Sequence, residues 1–221
     1  MTVVLAGEIR ETTRIGEEAG AALSVVVKPA GVRHADEVGP RGARTLQVVL
    51  DPASADSLDD TGTLHRWRWL HGLPAAAPLL ILARLLRQGG KAGELEEAIL
   101  EAVAGLDGEA RAGGAVPDWL ARVREALDDE LESGIGVRGL AALVGAHPVS
   151  VSRAFRKHYG LTISAYRRRE RVRRAAARIA GSPESLSRIA HGGGYADHPH
   201  LCRDFRRTTG LTPSEFRRLA R

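Results

Sequence analysis

Short apolar runs occupy the first fifty residues, and helical periodicity takes over after them. Residues 23–27 and 46–50 are Val-rich and each is followed by a proline, Pro29 or Pro52; with a weaker run at 3–9 they predict strands. The stretch 31–42, which carries glycine, proline and aspartate, is expected to connect them. From about Pro74, Leu79, Leu80, Leu82, Ala83 and Leu86 form one helical face, and Leu95, Ile99, Leu100, Val103 and Leu106 form another. Gly89 and Gly90 part the two, so a helical hairpin is predicted. Residues 105–117 are poor in large apolar side chains and hold four glycines, which marks a boundary. Beyond it, Trp119, Val123 and Leu127 begin an amphipathic helix behind Pro117 and Asp118. Further helices are expected over 137–144, 148–158, 163–180, 184–190, 198–208 and 213–219.

This last third contains a repeat at an offset of 50 residues. Phe155-Arg-Lys-His-Tyr-Gly160-Leu-Thr-Ile-Ser164-Ala-Tyr166-Arg-Arg168 returns as Phe205-Arg-Arg-Thr-Thr-Gly210-Leu-Thr-Pro-Ser214-Glu-Phe216-Arg-Arg218. Upstream, Val151, Ser152 and Arg153 match Leu201, Cys202 and Arg203. Two copies are too few for a solenoid but enough for a duplicated recognition unit. Each copy reads as a helix-turn-helix. In the first, a short helix at 140–144 leads through Gly145 to a second helix opened by Pro148, with Val151, Ala154 and Phe155 inward. In the second, residues 186–190 lead through Gly192–Gly194 to a helix capped by Asp197, with Leu201 and Phe205 inward. Gly160 and Gly210 stop these helices, and Thr162 and Thr212 cap the next ones. The outward sides carry arginine and small polar residues, the chemistry of a major-groove reader.

Charge divides the chain at the same place. The net +5 is the sum of −8 up to Glu132 (14 basic, 22 acidic) and +13 from Ser133 onward (18 basic, 5 acidic). A module that meets a polyanion is therefore joined to one that does not. With 221 residues, 43% of them hydrophobic and 27% charged, the chain is expected to be globular rather than disordered or fibrous. The single cysteine, Cys202, precludes an intrachain disulfide framework and fits a reducing cytoplasm. Residues 1–11 lack a secretory pattern, and the most apolar window, 75–86, is interrupted by Arg84 and falls short of the roughly 20 residues of a membrane helix. No membrane partner is expected.

From about Asp118 to Arg221 the residues resemble the DNA-binding domain of AraC/XylS-type transcription regulators, most specifically in Gly210-Leu-Thr-Pro-Ser-Glu-Phe-Arg217. The resemblance implies two helix-turn-helix units, here about 137–159 and 184–209, flanking a connecting helix at 163–180. It implies recognition helices in successive major grooves, about 34 Å apart. Carried over by position, the base-contacting residues are Val149, Ser152 and Arg153 in the first reader and His198, Pro199, Cys202 and Arg203 in the second. Arg156, Lys157, Arg206 and Arg207 lie nearer the phosphates. Departures from the family pattern are Glu170 and Arg178 at apolar positions of the connecting helix, Tyr195 for the usual Phe, His147 at a cap position where Ser is commoner, and Pro199, which offers no donor. Glu170 is expected to pair with Arg174.

Before Gly105, residues 28–37 with Gly42 resemble a piece of the cupin-like β-barrel with which such regulators sense ligands, although about 70 residues is short for a complete barrel. The expected fold class is α+β. The boundaries are a partial cupin-like β module at 1–72, a helical packing or dimerisation segment at 73–106, a linker at 107–117 and the all-α DNA-binding domain at 118–221. The implied partners are double-stranded promoter DNA, RNA polymerase for an activator, a small-molecule effector, and a second copy through the helical segment, whose apolar faces exceed what a small β module covers.

Other chemistry is weaker. Gly134-Ile-Gly136-Val-Arg-Gly139 matches G-x-G-x-x-G but follows an acidic helical run instead of a strand. Asp197, His198 and His200 read as a cap and a first helical turn rather than metal ligands. His34 and Glu37 give half of a cupin metal set and read better as turn residues. Cys202 has no His-Asn partners for nucleophilic catalysis. Neither an enzyme nor a cofactor or metal site is expected. Phe155, Phe205, Tyr166 and Phe216 belong to the core by their spacing. Arg167–Arg174, with six arginines in eight residues, divides evenly between a solvated face and phosphate contact. The alternatives to a sequence-specific regulator are a nonspecific architectural DNA binder and a cupin-type metalloenzyme.

Overall fold

The computed structural model describes residues 1–59, 62–110, 116–131 and 134–221. Its first layer is a curled antiparallel sheet of β1 (Thr2–Thr13), β2 (Glu17–Ala21), β3 (Ser24–Val27), β4 (His34–Gln47) and β5 (Arg68–His71). β1 is the hub. β4 pairs along its length, β2 pairs with Glu8–Thr12, β3 pairs with Thr2 and Val3, and β5 extends β3. Alternation along the strands separates two apolar sets. Val3, Leu5, Val25 and Val27 join the main core, whereas Val4 and Val26 pack with Trp69 in a smaller cluster.

Of the stretch 31–42 only 31–33 connect strands, because β4 begins at His34; of 46–50 only Leu46 and Gln47 are strand, because β4 ends there. Almost every side chain of β4 is exposed, so backbone pairing with β1, not apolar burial, makes it a strand. β2, β5 and a short helix α1 (Pro52–Leu58) likewise lack a sequence signal of their own. At the irregularity after Gly7 the strands come so close that a Cβ there would lie 1.9 Å from the Gly42 carbonyl oxygen, and Gly7 has φ +76. Only glycine meets both demands.

The second layer is the expected hairpin of α2 (Leu73–Gln88) and α3 (Ala92–Ala110). Leu79, Leu80, Leu82 and Ala83 are buried as predicted, but Leu86 and Leu100 are 52% and 47% exposed and lie outside the core. Residues 107–110 of the expected linker are still within α3, and Gly105 also sits inside that helix, where a Cβ would meet Pro74 O at 3.2 Å, so the glycine permits close packing against α2. Residues 111–115 of the expected linker lie outside the described residues.

The remaining helices are α4 (Asp118–Asp129), α5 (Val137–Leu143), α6 (Pro148–Tyr159), α7 (Ile163–Gly181), α8 (Leu186–His191), α9 (His198–Thr209) and α10 (Pro213–Ala220). α4 begins where expected, and each of the others falls within two residues of its predicted span. The matching Gly134-to-Gly139 sequence leads into α5 with Gly136 as its N-cap, and among the described residues the element before it is the helix α4, not a strand.

Two cores divide this half. Leu120, Val123, Leu127, Leu140, Val151, Phe155 and Ile163 form one. The other runs through the whole molecule: Val172, Ala176 and Ile179 of α7, Leu201 and Phe205 of α9 and Phe216 of α10 join the same cluster as α2, α3 and the sheet. The second helix-turn-helix therefore packs on the N-terminal layers, and the first keeps a core to itself.

Candidate nucleic-acid interface

Local chemistry builds both readers alike. The His147 imidazole accepts from the Val149 amide at 3.3 Å and caps α6, so histidine serves where serine is commoner. Asp197 caps α9 by accepting from the His200 amide at 2.6 Å. Gly160 and Gly210 both end their helices in the left-handed region, at φ +69 and +73, where a side chain is strained. Thr162 accepts from the Ala165 amide, and Thr212 forms a full capping box with Glu215. Hydrogen bonding from the Thr212 backbone and hydroxyl holds the Glu215 carboxyl below its ordinary range.

Inward, Phe155 meets Tyr166 edge-on at 5.4 Å and Phe205 meets Phe216 at 5.5 Å. All three phenylalanines are fully buried. Tyr166 is part-buried, and its hydroxyl donates to Asp128 at 2.8 Å; burial first, then that carboxylate, pushes the phenol well up. These aromatics hold the readers in place and offer no stacking platform.

Outward, Arg153, Arg156 and Lys157 on α6 and Pro199, Arg203, Arg206 and Arg207 on α9 are exposed. Val149 is 48% exposed, an apolar side chain with no core to join. Ser152 is half-buried and its hydroxyl donates to Pro148 O at 3.0 Å, leaving its lone pairs to accept. His198 and Cys202 are half-buried together, with Nε2 and Sγ 3.4 Å apart. Burial raises the Cys202 thiol, which leaves it a protonated, poorly nucleophilic group. His200 turns instead to Asp204, at 3.4 Å, and to the Ala196 amide.

The arginine run on α7 is neither a solvated face nor a free phosphate surface. Arg167 donates to Ile135 O, Arg171 to Leu131 O through Nε and Nη2 at 3.2 and 3.0 Å, and Arg174 to Asp128 O. Glu170 takes Arg173 through a forked pair and Arg174 at 3.5 Å, so the expected 170–174 pair has a stronger rival. Burial would raise the Glu170 carboxyl, but the hydrogen bond and charge of Arg173, with Arg174, hold it below its ordinary value. Sequence reasoning missed this use of arginine. The signal was there in the spacing 167, 171, 174, one stripe of a helix.

Arg84 and Arg87 were missed as well. From α2 they donate to Gly210 O at 3.3 Å and Arg218 O at 2.6 Å, and a Cβ on Gly210 would lie 2.9 Å from Ile81. A cleft of about 910 Å³ separates the first unit from the sheet; its walls include Arg124, His158, Tyr159 and Arg173 on one side and His71, Leu73 and Pro74 on the other.

His34 and Glu37 are strand residues, not turn residues. His34 comes together with Asp36 and with Glu11, which is fully buried, rather than with Glu37. Lys28 Nζ lies 3.3 Å from Glu11 and 3.2 Å from Asp36, so an ammonium already supplies the cation that these carboxylates require.

Residues 140–219 match the family model described as a helix-turn-helix domain. The arabinose operon regulatory protein of Escherichia coli K12 is 29% identical over 100 residues, 43% of this chain and 34% of that one. The carboxy-terminal part of the chain thus carries a helix-turn-helix domain and is similar in sequence to this arabinose regulator. The regulator GlxA of Rhizobium meliloti is 32% identical to the chain over 126 residues, covering 56% of it and 39% of GlxA. The bifunctional transcriptional activator and DNA repair enzyme AdaA of Bacillus subtilis is 26% identical over 104 residues, 47% of this chain and 49% of AdaA. The chain thus spans about half or less of the length of these relatives. No helix among the described residues is long and apolar enough to cross a membrane.

Proposed function

We propose that this chain is a sequence-specific, DNA-binding transcription regulator of AraC type acting in the cytoplasm. α6 and α9 enter successive major grooves. Val149, Ser152, Arg153, His198, Pro199, Cys202 and Arg203 meet base edges, and Arg156, Lys157, Arg206 and Arg207 meet phosphates. The observation that carries this reading is the matched pair of capped helices, each with a buried phenylalanine behind and exposed arginines in front. In the proposed organisation, residues 1–72 and 73–106 are a sensing module and its helical support.

A small-molecule effector fits the reading. The cleft between the sheet and the first unit offers arginine and histidine beside Tyr159 and Leu161, a lining suited to an anion with an apolar body. Exposed Leu100 on α3 is where a second copy would add, and RNA polymerase would meet the DNA-bound protein.

Selection of duplexes from a random pool, followed by competition of the recovered sequence against random duplex at matched salt, tests the function. A preference of at least about 10³ is expected of a specific regulator; equal binding assigns the chain to nonspecific architectural proteins instead. Stoichiometric metal in the purified protein would favour the metalloenzyme reading.

A further inference from the structure

The three guanidinium–carbonyl contacts from α7, one to the end of α4 and two to the passage that follows it, are in register. Arg167 meets Ile135 O, Arg171 meets Leu131 O and Arg174 meets Asp128 O, so each step forward along α7 matches an equal step back along the other strand of chain. Asp128 O belongs to the last turn of α4, which contains no basic residue, and the other two carbonyls lie in the passage to α5. Carbonyls at a helix C-terminus lack intrahelical partners and carry the negative end of the dipole. In this row of guanidinium groups Arg174 satisfies both needs at Asp128 O, and Arg167 and Arg171 supply donors to the two carbonyls beyond.

The place of this row in the molecule gives it a second consequence. The first unit's core uses Ile163 and Tyr166 at the start of α7, whereas Val172, Ala175, Ala176 and Ile179 further along belong to the core of the second unit. The row occupies Arg167 to Arg174, the part of α7 where one core gives way to the other. Among the described residues none is common to both cores. The direct hydrogen bonds of α2 go to the second unit, at Gly210 and Arg218. The angle at which the first unit stands to the second therefore depends on contacts along α7, and the row supplies three directional ones.

We propose that Arg167, Arg171 and Arg174 are positioning residues that set the angle between the two readers, and so the half-site spacing the protein accepts. This rests on the two-reader function proposed above. One added base pair moves a half-site by about 3.4 Å and turns it by about 35°, so a rigid pair of readers must reject it.

The test uses the full chain and the duplex that the wild-type protein selects from a random pool, remade with one base pair inserted or deleted between its halves and with either half scrambled. Wild-type protein should bind the altered spacings at least about tenfold more weakly. Arg171→Ala combined with Arg174→Ala should reduce that discrimination to about threefold or less, with base preference within each half unchanged. Arg171→Lys keeps the charge but cannot direct two N–H groups of one planar fork at Leu131 O; it should also widen the accepted spacing while leaving the fold intact. If the variants lose thermal stability yet keep the wild-type spacing profile, the row is merely structural and the proposal fails. Restoration by lysine, together with a flattened salt dependence in the alanine variant, would make the arginines phosphate contacts and overturn it too. If wild-type protein selects no sequence, the two-reader function falls and this inference with it; if wild type selects paired half-sites and the variants discriminate as wild type does, only this inference falls.

Discussion

The two helix-turn-helix units share a sequence pattern and differ in what lies behind them. Phe155 and Phe205 occupy equivalent positions and are equally buried, yet Phe155 belongs to a small core of α4 to α7, and Phe205 to one continuous with α2, α3 and the sheet. Gly160 and Gly210 have nearly the same φ, but nothing lies within 4 Å of a Cβ on Gly160, whereas Ile81 closes on Gly210. A repeat thus specifies the local form of a unit. It does not specify its attachments, which depend on residues far away in the chain.

Removing the two aromatic anchors would break this contrast most sharply. Each of Phe155→Ala and Phe205→Ala is expected to cost about 3–5 kcal/mol. Hydrogen exchange read by mass spectrometry should show the loss of protection confined to α4–α6 for Phe155→Ala, but spreading into α2 and β1 for Phe205→Ala. Matching spread from both would show that the two cores act as one.

Base reading should be symmetrical where packing is not. Arg153→Ala and Arg203→Ala are each expected to cost about 1–3 kcal/mol of cognate binding and to relax selectivity in one half of the site. Selection with each variant checks this, and unchanged selectivity in both would remove these arginines from the base contacts. Arg206→Ala should instead weaken all sequences alike and reduce the salt slope by about one.

The glycine caps sharpen the comparison at smaller scale. Gly160→Ala pays for left-handed backbone alone, about 1 kcal/mol, whereas Gly210→Ala must also displace Ile81 and should cost more in chemical denaturation. Ile81→Ala should bring the two costs together.

Acid gives the smallest effect. The folded Glu170 carboxyl lies below its ordinary 4.5, so its contribution is complete above that pH and is lost as pH falls through the lower folded value. Glu170→Gln should flatten the acid limb of the stability profile below about pH 4.5, and an unaltered limb would deny the pair with Arg173 any weight.

Helices, caps and stops of the carboxy-terminal half were legible because each is decided within a few residues: Thr212 needs only Glu215, and Gly210 only its own missing Cβ. In the N-terminal half the helical hairpin of α2 and α3 was legible from its periodicity, but the sheet was legible only where apolar runs coincide with strands, as at Ser24–Val27. β4 escaped notice because its exposed, charged sequence becomes a strand by pairing with β1. The outward residues of α6 and α9 could be named from the repeat, while the partners of the α7 arginines could not, since a guanidinium that meets a carbonyl 32 to 46 residues away looks in sequence like one that meets water or phosphate.

From the chain alone came the duplicated unit, its capped helices, the faces they bury and the separation of acidic and basic halves, because these follow from short-range sterics, periodicity and charge. Tertiary structure decided that the second unit shares a core with the sheet, that Arg84 and Arg87 fasten α2 to it, and that the α7 arginines serve carbonyls at the end of α4 and in the passage to α5. Those outcomes depend on which unsatisfied carbonyls and apolar faces meet once the chain is closed, and no local pattern encodes that meeting.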